Sequence, residues 1–328
     1  MIRRASRHPI LVLSVAVLLM VVVGLRISTV RSERVCADQY PPQSVVVVDG
    51  IELHYVAAGQ GDPVVLLHGD GGSALDITTS PVFARLAEHF WVIAMDRPGH
   101  GYSDGGEQAT TLHGQAGLIH GALQALGVQR PVLVGHSRGA SVVAVYLDEY
   151  PDQVAAAVSV GGELWGEPDP DDYGVYRPGA WPLVGPLLVG LGYAPATRFD
   201  DYRLLRAGLD QAFAPEGPAP DRYVKAYACQ WVTPSNIRTT YRLMQDTGET
   251  MPSIRARYPG LEVPVVIVHG DDDGNVAVSR ARQAHQLLAR SELRVLEGAG
   301  HMPHFTRPDD VVDAIHDAAS DRLLDRSG

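Results

Sequence analysis

Short, nearly continuous apolar runs, each followed by a polar or glycine-bearing loop, constrain this chain more than any other feature. They are Val64–Leu67, Trp91–Met95, Pro131–Val134, Ala155–Val160, Val265–Val268 and Leu293–Leu296. A strand with one wet face alternates apolar and polar residues, whereas a strand covered on both faces does not. Helical patterns lie between the runs. In Thr111–Leu126 the residues Leu112, Ala116, Ile119, Leu123 and Leu126 repeat at helical spacing, and Ala140–Glu149 and Pro308–Leu324 follow the same rule. Strand and helix in alternation imply a parallel sheet with helices on both faces. Ahead of them, Val45–Val48 and Ile51–Ala57 flank Asp49-Gly50 and read as a hairpin with a type I′ turn. The expected fold class is α/β, with a mostly parallel eight-stranded sheet and a mainly helical lid inserted after the sixth strand.

The insertion is expected where the rhythm breaks. Residues 166–195 are rich in Pro, Gly and Asp, and 198–213, 220–232 and 235–247 look helical. A long segment of this kind fits a cover over an active site. Its Trp165, Trp181 and Trp231 suggest an apolar acyl or aryl group beneath it. The core is then divided into residues 44–162 and 259–328, with the lid at 163–258.

The N-terminus reads as an address label. A basic stretch at 1–8 precedes a candidate transmembrane anchor or signal segment at 9–30, and a polar tether containing Pro41-Pro42 occupies 31–43. As a helix, Ile10–Leu25 spans about 24 Å, short of the roughly 30 Å hydrocarbon core, and extension to Val30 with Arg26 snorkelling supplies the rest. The expectation is a single N-terminal membrane helix with the catalytic domain outside the cytoplasm. Secretion after signal cleavage competes with it.

Charge and cysteine usage exclude several classes. The net charge is −11. The first 35 residues carry +5, which leaves −16 on the body and argues against nucleic acid as a partner. Only Cys36 and Cys229 are present, with no C-x-x-C pair, so neither a thioredoxin-like site nor a zinc knuckle is encoded. Their spacing does not say whether they pair.

A nucleophilic serine needs its oxygen held out of the sheet on a sharp turn, which favours glycine two residues before and two after it. Two such patterns occur, Gly101-Tyr102-Ser103-Asp104-Gly105 and Gly135-His136-Ser137-Arg138-Gly139. Ser137 stands between a strand and a helix, the setting the elbow requires. Ser103 follows a glycine-rich loop and has no helix until about Thr111. Ser137 is the expected nucleophile.

With these marks in place, residues 45 to 324 resemble the α/β-hydrolase superfamily. The resemblance rests on His68-Gly69 after the third strand and Asp96-Arg97-Pro98-Gly99-His100-Gly101-Tyr102-Ser103 after the fourth. It also rests on the Gly-His-Ser-Arg-Gly elbow, on Gly270-x-x-Asp273-x-x-Val276, and on Gly298-Ala299-Gly300-His301. It implies His301 as the base that takes the serine proton, and Asp273 as the acid that fixes the base, in the order Ser, Asp, His. Some relatives carry the acid after the sixth strand, where Glu163 stands. Asp271 and Asp272 read as loop caps, and His68, His136 and His304 as packed or locally bonded. The oxyanion donors are expected to be the backbone N–H groups of Arg138 and Asp70, with Gly71 as the second choice for the latter. An aspartate there departs from the pattern, because its charge would oppose a developing oxyanion.

The resemblance implies a serine hydrolase acting on a carboxylic ester, less readily an amide or thioester, through an acyl-serine. No cofactor or metal is implied. The expected partners are a small-molecule or lipid-like acyl substrate and, through the N-terminal segment, a membrane. A cofactor-free perhydrolase, a carbon–carbon bond hydrolase and a non-catalytic binding protein of the same fold stay open as alternatives.

Overall fold

The computed structural model describes residues 8–166, 176–181, 184–190, 202–231 and 233–320. Most of the basic stretch at 1–8, and much of the Pro/Gly/Asp-rich stretch within 166–195, lie outside them.

Eight strands form one sheet: β1 (Ser44–Val48), β2 (Ile51–Ala58), β3 (Pro63–Leu67), β4 (Trp91–Met95), β5 (Val132–His136), β6 (Ala156–Val160), β7 (Val265–Gly270) and β8 (Ser291–Leu296). Their order is β1-β2-β4-β3-β5-β6-β7-β8. The pairs β1–β2 and β2–β4 are antiparallel, and every other pair is parallel. Asp49 and Gly50 both take positive φ, 51° and 81°, as a type I′ hairpin turn requires.

Side-chain alternation explains the continuous apolar runs. Val65, Leu67, Ile93, Met95, Leu133 and Ile267 pack on one face against helices Leu112–Ala125, Arg138–Glu149 and Val278–Leu287. Val64, Leu66, Val92, Ala94, Val132, Val134, Val266 and Val268 pack on the other, against Ala74–Thr78, Pro81–Leu86 and Pro308–Ala319. Each fully buried Val, Leu or Ile contributes about 1.5–3 kcal/mol relative to exposure, so both faces are mainly apolar, with His54, Ser159 and His269 among the buried polar residues of the strands. The edge strand β8 is only half-buried throughout, and there Glu292 and Arg294 appear.

Topology decides where a site can form. From β3 the chain crosses to β4 on one side, and from β5 it crosses to β6 on the other. Beyond the carboxyl ends of β3 and β5 the following connections diverge, which opens a crevice at the switch point.

Between β6 and β7 the chain forms helices. Arg203–Phe213, Asp221–Gln230 and Pro234–Arg255 are the long ones among the described residues. In the first, Leu205, Leu209 and Phe213 form a buried stripe at four-residue spacing. They join Tyr223, Val224, Tyr227 and Met302 in a separate small core.

The N-terminal expectation is corrected. Residues His8–Gln39 form one continuous helix that runs through most of the segment expected to be a tether. Among the described residues no helix is long and apolar enough to cross a membrane, which overturns both the anchor and the signal assignment. The physical reason is length: the apolar run ends short of a bilayer's thickness, and the helix continues through Arg26, Arg31, Glu33 and Arg34. Cys36, near the end of this helix, is disulfide-bonded to Cys229 of the inserted helix Asp221–Gln230, with Cα atoms 5.4 Å apart.

Candidate active site

Ser137 follows β5 directly and caps the helix Arg138–Glu149, with φ 50° and ψ −121°. A positive φ at a non-glycine residue is strained and persists only where its surroundings enforce it. The flanking glycines show what does so. A Cβ at position 135 would lie 2.5 Å from the backbone nitrogen of Ala140, and one at 139 would lie 2.5 Å from the Leu67 carbonyl. The elbow is therefore tight because its helix is driven against its own strand and against the end of β3.

The second serine pattern has glycines for another reason. A Cβ at Gly101, where φ is 55°, would lie 2.2 Å from the Asp96 carboxylate. That carboxylate accepts from His54 Nδ1 (2.7 Å), Tyr102 N (2.8 Å) and Ala74 N (2.6 Å). Ser103 Oγ donates to the Asp96 carbonyl at 2.7 Å and accepts from His54 N at 2.9 Å. Ser103 is buried and its hydroxyl is fully engaged.

Beyond the carboxyl ends of β7 and β8, His301 Nδ1 donates to Asp273 Oδ2 at 2.9 Å. With its proton on Nδ1, the imidazole keeps Nε2 as the basic nitrogen. Asp273 Oδ1 accepts from Asn275 N and Val276 N, both at 2.9 Å. Burial alone pushes this carboxyl up, but the charge of His301 and hydrogen bonds from His269 and His301 overcome it and hold it well below the usual carboxylate range. Asp271 Oδ1 accepts from Gly298 N at 2.7 Å and so caps the loop, while the backbone N of Asp272 donates to Ala299 O at 3.1 Å. Glu163, the alternative acid, is committed elsewhere: Oε1 accepts from Trp165 N and Gly166 N, and Oε2 from Arg280.

The loop after β3 reaches Ser137, since a Cβ at Gly69 would lie 3.0 Å from that of Ser137. Asp70 turns its carboxylate aside, where Oδ2 accepts from Arg138 Nε at 3.1 Å and Oδ1 lies 3.7 Å from Arg97 Nη2. Two guanidiniums thus offset the charge that made an aspartate look unsuitable here. Arg97 is fully buried, donates to Gly69 O (2.8 Å) and Gln115 Oε1 (3.0 Å), and is pushed down to about 10 chiefly by burial. Asn236, also fully buried, donates to Gly71 O at 3.0 Å. Sequence reasoning missed both as supports of this loop. Arg97 lay inside a marked motif, but Asn236 is 165 residues from its acceptor and no local spacing announces it.

Of the three tryptophans in the inserted segment, Trp231 touches this region. It stacks on Tyr227 and donates to Tyr176 Oη at 3.2 Å, and a Cβ at Gly71 would lie 2.5 Å from its ring. Trp165 lies under the Arg255 guanidinium at 4.1 Å, and Trp181 is exposed. Three other histidines pack as expected or bond more widely. His68 bonds to Gly69 O at 2.8 Å, and His304 is buried, its pKa pushed down to about 3 by burial and by His301. His136 Nε2, however, donates to the carbonyl of His301 at 3.0 Å, tying the elbow to the loop that carries His301.

Comparison with known proteins follows the same lines. A family model described as alpha/beta hydrolase fold matches residues 62–308. The chain is 30% identical to a 2-hydroxy-6-oxo-2,4-heptadienoate hydrolase of Pseudomonas putida, over 78% of this chain and 88% of that protein. It is 26% identical to an uncharacterised protein of Mycobacterium tuberculosis, over 87% and 83% respectively. Among solved structures, an esterase from a Rhodococcus species superposes with a TM-score of 0.66 and 26% identity, covering 85% of this chain and 98% of that one.

Proposed function

The chain belongs to the alpha/beta hydrolase fold family, and on that premise we propose that it cleaves a carboxylic ester through an acyl-Ser137 intermediate. The observation that carries this is the hydrogen bond between His301 Nδ1 and Asp273, in a chain whose elbow holds Ser137 at a strained φ. In the proposed reaction Ser137 Oγ attacks the ester carbonyl while His301 Nε2 takes its proton. The negative oxygen of the tetrahedral intermediate sits against the backbone N–H groups of Arg138 and Asp70, the former at a helix start where the dipole adds to the stabilisation. Collapse expels the alkoxide, which receives the proton from His301. Water then repeats the sequence in reverse and releases the acid. Asp273 keeps the imidazole in the required tautomer and balances its transient charge. Tyr176, Tyr227 and Trp231, from the inserted segment, would supply an apolar wall to the acyl or aryl group.

A second reading, carbon–carbon bond cleavage by the same serine, is favoured by the 30% identity to the Pseudomonas putida hydrolase. Turnover of p-nitrophenyl acetate against that of a 2-hydroxy-6-oxo-dienoate separates the two. Ester hydrolysis that falls about 10⁴-fold in Ser137→Ala supports the first. Selective turnover of the dienoate replaces it with the second.

A further inference from the structure

The loop that presents His301 is held from two sides, and one of them is the inserted segment. Asp273 fixes the ring and His136 takes the carbonyl. The backbone N–H of His301 donates to the carbonyl of Ala212, in the inserted helix Arg203–Phe213, at 3.1 Å. The preceding N–H, that of Gly300, donates to Glu216 Oε2 at 3.1 Å. The other oxygen of Glu216 accepts from Arg307 Nε at 2.6 Å, and Glu216 N donates to Phe213 O at 3.0 Å. The approach is close enough that a Cβ at Gly300 would lie 2.0 Å from the Ala214 carbonyl. Two successive amides of the base loop are therefore satisfied by the insertion and not by the sheet.

We propose that Glu216 is a positioning residue for His301, through which the placement of the inserted helices sets the geometry of the base. This rests on His301 being the base of the proposed reaction. A carboxylate suits the task because it accepts two bonds at once in a half-buried setting, one from a backbone amide and one from a guanidinium, and charge-assisted bonds are the stronger kind. Displacing Glu216 leaves Gly300 N without its acceptor and frees the loop to shift, and misplacement of about 1 Å by a group remote from the chemistry costs up to about 10²-fold in rate.

The test compares wild type, Glu216→Ala and Glu216→Gln on p-nitrophenyl acetate, with rates expressed per site labelled by a fluorophosphonate. The expected result for Glu216→Ala is a kcat lower by about 10-fold or more with KM held within about 2-fold, and for Glu216→Gln, which keeps an acceptor for Gly300, a return to within about 3-fold of wild type. Amide exchange of the peptide spanning residues 297–302 should accelerate in Glu216→Ala alone. Equal kcat per labelled site, or a change in KM only, overturns the proposal, as does unaltered exchange of the loop. Should Glu216→Ala not fold, Arg307→Gln releases the second oxygen of Glu216 and should lower kcat by a smaller factor; an unchanged kcat there is equally contrary. Absence of labelling in the wild type contradicts the ester-hydrolase reading instead, and the exchange measurement still decides the positioning role.

Discussion

The turns around Ser103 and Ser137 share one five-residue pattern and are put to opposite uses. Both carry glycine two residues before and after the serine, and both surround that serine with buried structure. At Ser103 the glycine makes room for a carboxylate, and the hydroxyl is consumed by a backbone donor and a backbone acceptor. At Ser137 the glycines make room for the backbone of a helix packed on its own strand, and the serine takes the positive φ itself. The difference teaches that spacing specifies tightness, not chemistry. A serine becomes a candidate nucleophile when the strain falls on it and its oxygen is left out of the local bonding.

The largest effect expected from this contrast is on turnover. Ser137→Ala should lower p-nitrophenyl acetate hydrolysis about 10⁴-fold with little change in stability, while Ser103→Ala should keep turnover within about 3-fold. A comparable loss of turnover in both would erase the distinction. Next comes Gly101→Ala, which forces a side chain into a left-handed position against the Asp96 carboxylate and should cost about 2–3 kcal/mol in urea unfolding. Ser103→Ala removes one donor and one acceptor, leaves His54 N buried without its partner, and should cost about 1–3 kcal/mol by the same measurement.

The smallest effect is pH-dependent, and it sets apart the two carboxyls near the turns. Asp273, beside His301, is held well below its ordinary value, so its contribution is present above about pH 4 and is lost only as pH falls through its folded value. Asp76, buried near Asp96, is pushed up to about 8, chiefly by burial with the Asp96 charge adding to it. The folded state then binds more protons than the unfolded state between about pH 4 and about 8, so this group makes stability fall as pH rises through that window. Asp76→Asn should therefore gain on wild type between pH 5 and pH 8 by at least about 1 kcal/mol. A constant difference across that range would contradict the assignment.

Much of this was legible in the chain, and the reasons are physical. Strands covered on both faces are written as continuous apolar runs, which located the inner strands, while the Asp49-Gly50 turn located the β1–β2 hairpin, each to within a few residues. The elbow was legible because strand, turn and helix are neighbours in sequence. Contacts that close over long separations leave no period, which is why Asn236, the bond from His136 to the His301 loop and the clasp of Glu216 on Gly300 emerged only from the structure. The N-terminal apolar run misled in the opposite way. Hydrophobicity without sufficient length resembled a membrane signal, and the helix His8–Gln39 is instead joined through Cys36 to the inserted helices.

The most direct measurement is mass-spectrometric mapping of a fluorophosphonate adduct on the folded protein and on its two serine variants. The adduct is predicted on Ser137, retained in Ser103→Ala and lost in Ser137→Ala together with ester turnover. An adduct on Ser103, or ester turnover that survives in Ser137→Ala, would contradict the account.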